Sequence, residues 1–132
     1  MNMEEHINYA VQQLIDNGNI DAIESLFSVD YIAHADKDYK GHDFIKRYTK
    51  QLHTSIQDVE TLKVEFLNES SNKITWQRTL QGTHKNDMYG IPPSGKKIKW
   101  YELVVSRFED GKIAEEWVVS DLAGQLMLKH HK

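Results

Sequence analysis

The hydrophobic pattern changes period once along the chain, after residue 53, and the change divides helices from strands. Met3, Ile7, Ala10, Val11 and Leu14 recur at helical spacing over 3–17, and Asn17-Gly18 supplies a left-handed stop. Asp21 can cap a short second helix with a buried stripe of Ala22, Ile23, Leu26 and Phe27. An extended piece from Val29 to Ala35 ends in polar Asp36-Lys37-Asp38. Phe44, Ile45, Tyr48 and Leu52 then predict a third helix over 43–53.

From there the period is two. Leu62, Val64 and Phe66 alternate with polar neighbours in a half-buried strand that stops at 68–72. In the next strand Ile74, Trp76, Arg78, Leu80, Gly82 and His84 share one face. The other face, Lys73 to Thr83 at every second position, is unbroken polar, which fixes the first set as inward. Arg78 and His84 on a buried face need partners or a wet cavity, so this strand carries the pocket signal. Gly90-Ile91-Pro92-Pro93-Ser94-Gly95 cannot continue a ladder, and the Gly82–Lys96 loop that holds it is expected to be a mobile gate of the pocket. A long strand over 97–109 follows, apolar on both faces, as a central strand with helices on one side and a second subunit on the other would be.

Asp110-Gly111 marks a hairpin, and two registers are open. A two-residue turn, the preferred reading, sets Val104 opposite Trp117 and Trp100 opposite Asp121. A three-residue loop with a bulge brings Tyr101 and Leu103 to the Trp117 side. In both, Ile113, Trp117, Val119 and Asp121 share a face. Leu122, Leu126 and Met127 make a short terminal helix before a loose Lys129–Lys132 tail. Three helices followed by a meander predict an α+β fold in one domain over 1–132: a cone-shaped α+β barrel, with three N-terminal helices packed in a curved antiparallel sheet.

Composition narrows the function. Sixteen basic against 20 acidic residues give a net charge of −4 with no basic cluster, so neither nucleic acid nor an anionic membrane surface is an expected partner. The absence of cysteine excludes disulfides, thiolate metal sites and cysteine nucleophiles. No apolar run reaches about 18 residues, and a cytoplasmic protein is the expectation. The histidines lack metal-ligand spacing, so no metal is expected.

Asp121 is the leading candidate for chemistry. Inward at a strand end, it would sit in low dielectric with its pKa raised toward the range of a general base, although the same position suits an N-cap of the terminal helix. His84 is either a donor to substrate or a structural histidine. Arg78 is either an oxyanion donor or the partner of a buried carboxylate, Glu102 or Asp121. Trp76, Trp100 and Trp117 either line a flat apolar cavity or form core, and His34 stands where it could reach the cavity mouth. Arg78, Trp76, Trp100, Trp117, His34 and Glu102 make up the candidate substrate-binding set.

Gly82-Thr83-His84, the Gly90–Lys96 stretch, Asp110-Gly111-Lys112-Ile113 and Glu116-Trp117 followed by Asp121 together resemble the SnoaL-like polyketide cyclases, or ester cyclases. That group belongs to the cone-shaped superfamily of nuclear transport factor 2, ketosteroid isomerase and limonene-epoxide hydrolase. The resemblance implies a cofactor-free enzyme in which Asp121 is the acid/base of an intramolecular aldol closure and His84 hydrogen-bonds a substrate oxygen. The implied ligand is a small hydrophobic carbonyl compound, and the apolar Tyr101, Leu103 and Val105 face of the long strand separately predicts a homodimer. The competing reading is a ligand-binding or dimerisation module. A filled cone with Asp121 paired to Arg78 favours the module. A hollow one with His84 and Asp121 converging favours the enzyme.

Overall fold

The computed structural model describes residues 1–130, so the end of the expected tail lies outside the described residues. Helix α1 (Met3–Val11) opens in a capping box: Asn2 Oδ1 accepts the Glu5 N–H, and the Glu5 carboxylate accepts that of Asn2. It continues as a π-helical turn over Gln12–Asp16 that buries Leu14 and Ile15 together. A 3₁₀ turn, Ile20–Ala22, is capped by the side chain of Asn19 and not by Asp21, and leads into α2 (Ile23–Leu26). The remaining elements are β1 (Phe27–His34), β2 (Asp38–Lys40), α3 (Gly41–Ser55), β3 (Ile56–Glu69), β4 (Lys73–His84), β5 (Lys97–Glu109), β6 (Lys112–Ser120) and α4 (Leu122–His130).

The six strands form one sheet in the order β2-β1-β6-β5-β4-β3. The α+β cone follows the sequence expectation, with the N-terminal helices against the concave face. The all-antiparallel sheet does not, because β1 pairs with β6 in parallel. Helical segments flank the β1–β2 unit on both sides, so β1 has no long hairpin partner and closes the open edge of β6 instead.

Curvature comes from β3, whose register against β4 shifts three times. One shift lies at Asp58, which has a φ of +58°. Another turns Leu62 outward, although the alternation places it on the half-buried face. The N–H of Thr61, beside that shift, donates to Asp16 Oδ1 at the end of the π turn. Gly82 sits against the first shift, where a Cβ would collide with Ile56 Cγ2 and lie 3.0 Å from the Gln57 carbonyl oxygen. Only a residue without a side chain lets β3 and β4 approach this closely.

The β5–β6 hairpin corrects the preferred register. Its turn has two residues, as preferred, with φ of +52° at Asp110 and +78° at Gly111. Phe108 faces Ile113, but Arg107 then faces Glu115, so Ala114 is an extra residue in β6. Past this bulge every side chain of β6 changes face. Trp117 lies opposite Val105 and Val119 opposite Leu103, on the outer surface, where they are 37% and 72% exposed. Glu116, Val118 and Ser120 take the inner face.

Two apolar clusters fill the cone. Ile7, Val11, Leu52, Ile74, Trp76, Leu80, Trp100, Val104, Leu122 and Leu126 join α1, α3 and α4 to the central strands. Ala10, Leu26, Phe27, Tyr31, Ile45 and Ile113 close the β1 side. Three histidines tie helices to main-chain carbonyls through Nε2: His6 to Leu26, His42 to Phe27 and Ser28, and His53 to Leu14.

Candidate functional site

Inside the cone the inward residues of β1, β4, β5 and β6 build one polar network in an apolar wall. Arg78 lies directly across the ladder from Glu102, and its Nε and Nη2 both reach Glu102 Oε1 at 2.7 Å. Glu102 Oε2 accepts from the indole of Trp100 at 3.2 Å and from Ser120 Oγ at 2.8 Å. The guanidinium also lies over the Trp76 ring, 5.1 Å from its centroid. The Trp76 indole donates to Ser106 Oγ at 2.9 Å, and Ser106 in turn donates to Glu116 Oε2. The Tyr31 hydroxyl donates to Glu116 Oε1 at 2.8 Å.

Glu116 is therefore a carboxylate enclosed by protein on the concave face. Burial drives its pKa above the ordinary carboxylate value, outweighing the Ser106 and Tyr31 hydrogen bonds and the attraction of Arg78, while Glu102 adds to the rise. Burial, together with Glu116, holds Tyr31 well above the ordinary phenol value, so it remains a donor. Burial works against the Arg78 charge, but Glu102 and Glu116 outweigh it and the guanidinium stays ionised. The enclosure has an opening. Arg78, Glu116 and Val118 keep some exposure, as do Val64 and Phe66 opposite Arg78 and Trp76.

The mouth is aromatic. Tyr39 stacks on Phe44 at 4.5 Å, Phe44 on Tyr48 at 6.1 Å, and the Tyr48 hydroxyl meets that of Tyr89 at 3.2 Å. Tyr89 is carried on the loop between β4 and β5. The loop expected as a gate is pinned to the end of α3, where the N–H groups of Lys85 and Asn86 donate to the Ser55 carbonyl and Ser55 Oγ to that of Asp87. Met88, fully buried, anchors its tip. Surface clefts of about 440 and 340 Å³ lie elsewhere, one beside His42 and Lys112 and one on the outer face beside Thr79 and Tyr101.

The expected site residues divide between the two faces. Arg78, Glu102, Trp76 and Trp100 converge inside, with both indoles buried in the core and holding the polar network in place. His84 is fully buried at the neck of the loop, where its main chain pairs with Lys96 and Gly95. Trp117 and His34 stack on each other outside the cone, 5.3 Å apart, so neither lies on the concave face. Asp121 is exposed. Its Oδ1 accepts the Tyr101 N–H at 2.8 Å, and its carbonyl accepts the first α4 bond, from Gln125. It does not converge with His84, and the partner of Arg78 is Glu102. The bulge at Ala114 accounts for the outward placement of Trp117 and Asp121. Sequence reasoning passed over Glu116, Tyr31, Ser106 and Ser120. Their common signal is a polar side chain two positions from a core residue on the same face, and it is readable only once the register is known.

A buried acid, two hydroxyl donors and a paired guanidinium in a cone of this topology invite comparison with known proteins. The family model described as SnoaL-like polyketide cyclase matches residues 5–127. The chain belongs to the SnoaL-like polyketide cyclase family. No curated protein matches it in sequence. Among solved structures, the SnoaL-like chain resembles IdmH of Streptomyces antibioticus, a proposed polyketide cyclase, at 17% identity and a TM-score of 0.81, covering 98% of each chain. A proposed polyketide cyclase from Acidithiobacillus ferrooxidans gives 20% identity and a TM-score of 0.81 over 99% of each. AclR of Streptomyces galilaeus, a proposed hydroxylase, gives 20% and 0.79 over 99% of this chain and 87% of that one. At these identities the structural likeness speaks for the fold, a SnoaL-like cone, and not for a reaction. Among the described residues no group of three or more histidines and carboxylates could hold a metal ion, and no helix is long and apolar enough to cross a membrane.

Proposed function

We propose that this SnoaL-like chain is a cyclase- or isomerase-type enzyme acting on a small, hydrophobic, enolisable carbonyl compound, with Glu116 as its general base. The observation behind this reading is a carboxylate of raised pKa, enclosed on the concave face and held on both oxygens by hydroxyl donors, within Coulombic reach of Arg78. Glu116 removes a proton α to the carbonyl. The developing enolate oxygen is stabilised by the guanidinium edge that Glu102 leaves uncommitted. The carbanion then attacks a second carbonyl of the same molecule, closing a ring, or takes the proton back at another carbon. In either case the carboxylic acid of Glu116 returns the proton. A positioned base contributes about 10²–10⁴-fold, and the rest must come from Arg78 and from orientation.

The test is a thermal-shift screen of ring-forming and enolisable carbonyl compounds. Binders are then followed by NMR in D₂O for deuterium entering the α position. Binding with exchange or ring closure supports the enzyme. Binding with neither reduces the cone to a ligand-binding module.

The apolar outer face supports a homodimer as part of this reading. Tyr101 and Leu103 are 45% and 42% exposed beside Val119 and Trp117, a contiguous strip on the two central strands. Sedimentation is expected to show a dimer at micromolar concentration, and Leu103→Lys to shift it to monomer. A wild-type monomer under the same conditions removes the dimer from the proposal.

A further inference from the structure

We infer that His34 is a proton-operated staple, outside the cone, that holds the β2 edge ribbon against the sheet. His34 ends β1 on the outer face. Its Nδ1 lies 2.7 Å from Asp38 Oδ1 on β2, and its Nε2 lies 2.6 Å from Glu115 Oε2 on β6. A neutral imidazole carries one N–H, and ionised carboxylates only accept. Two short contacts to two carboxylates therefore require both ring nitrogens to be protonated. The geometry describes an imidazolium spanning three strands.

The surroundings fit a cation. The other oxygen of Glu115 accepts from Arg107 Nε of β5 at 2.9 Å, and Arg107 also faces Glu109. Trp117 of β6 stacks on the imidazole, its planes 26° apart, and the Lys73 ammonium of β4 lies over the same indole at 5.5 Å. With His34 charged, the group of His34, Asp38, Glu115 and Arg107 is electrically neutral. Without the proton, one negative charge is left over and one contact has no hydrogen to share. Both carboxylate hydrogen bonds raise the His34 pKa above its ordinary value, and His34 followed by Arg107 lowers that of Glu115.

The tie matters because β2 is short. Its three residues pair with β1 alone, at Ile32, Ala33 and His34. The ribbon runs directly into α3 at Gly41, and Tyr39 within it stacks on Phe44 of α3 at the mouth of the cone. The folded pKa of His34 lies above its unfolded value. The stability gained from the staple is therefore complete below about pH 6.5 and is lost as pH rises through the raised folded value. Deprotonation slackens the β2 wall of the mouth. This holds whether or not Glu116 is a base, since Glu115 and Glu116 lie on opposite faces of β6.

The experiment is an NMR titration of the intact chain, following the ring nitrogens of His34 and the hydrogen exchange of the β1–β2 amides. His34 is expected to titrate above its ordinary value, with both nitrogens protonated on the acid side of that midpoint. The β2 amides should lose protection across that transition by more than the base-catalysed rise that β4 follows. Asp38→Asn, which leaves the fold and the Glu115 contact in place, should move the His34 midpoint down. His34→Gln should remove the pH step. A His34 midpoint at or below the ordinary value, a midpoint unmoved by Asp38→Asn, or β2 exchange identical in wild type and His34→Gln would overturn the staple. If His34→Gln fails to fold, the midpoints of wild type and Asp38→Asn decide alone.

Discussion

Glu116→Gln is expected to lose turnover by about 10²–10⁴-fold while melting at the wild-type temperature or above it at neutral pH. An amide cannot take the α proton, so the chemical step loses its base. The fold keeps its geometry, because glutamine is nearly isosteric and can still accept from one hydroxyl and donate to the other. The stability side follows from the direction of the pKa shift. A carboxyl whose folded pKa lies above its unfolded one favours the folded state most below the ordinary carboxylate range, and that advantage is lost as pH rises through the folded value. Glutamine has no such loss, so the variant should gain on wild type as pH increases. Turnover of the wild type should rise over the same interval as Glu116 ionises. Asp121→Asn is the control. It keeps an acceptor for the Tyr101 N–H and should leave both melt and turnover unchanged. Lost turnover in Asp121→Asn with full turnover in Glu116→Gln would move the base to Asp121.

Glu102→Ala is expected to cost about 3–5 kcal/mol, the largest stability loss of any single change considered for the cone. The substitution takes from the Arg78 guanidinium its hydrogen-bonded partner, leaving only the more distant charge of Glu116, and takes the acceptor from the Trp100 indole and Ser120 Oγ together. Denaturant unfolding should show a lower midpoint with an unchanged slope. Pairing it with Arg78→Met should recover much of the loss, because the uncompensated charge, and not the missing bond, dominates the cost. A small loss in Glu102→Ala, or no recovery in the double variant, would mean that solvent reaches Arg78 and that the cone is wetter than its enclosure implies.

How much of this the sequence carried depends on the strand. In β4 one face is polar without a break, so the inward set could be read directly, and Ile74, Trp76, Leu80, Gly82 and His84 are all buried. For Arg78 the same pattern gave the need for a partner but left Glu102 and Asp121 both open, and only the β4–β5 register chooses Glu102. In β6 the pattern is apolar on both faces, with Ile113 next to Ala114 and Val118 next to Val119. A slip of one residue there leaves the alternation looking equally good. The alternation alone therefore turns Trp117 and Asp121 inward and Glu116 outward. The β1–β6 pairing was illegible for another reason: it joins strands about 80 residues apart, and neither carries a local signal for the other. His34 lay in the candidate set for the wrong face, since its acidic partners meet only through that pairing.

Ala114 has neither charge nor donor in its side chain, yet the bulge it forms decides which of two neighbouring glutamates faces the inside of the cone. Upstream of it the strand keeps phase with the turn, and downstream it runs half a cycle out. Glu115 consequently meets cations on the outer face and Glu116 meets hydroxyls on the inner one. What counts is that residue 114 is left out of the ladder, since Glu115 takes the place opposite Arg107 that a regular strand would give to Ala114. Chemistry in β6 is thus encoded in phase: pairing Ala114 regularly with Arg107 would turn Glu115 inward and Glu116 outward without altering either.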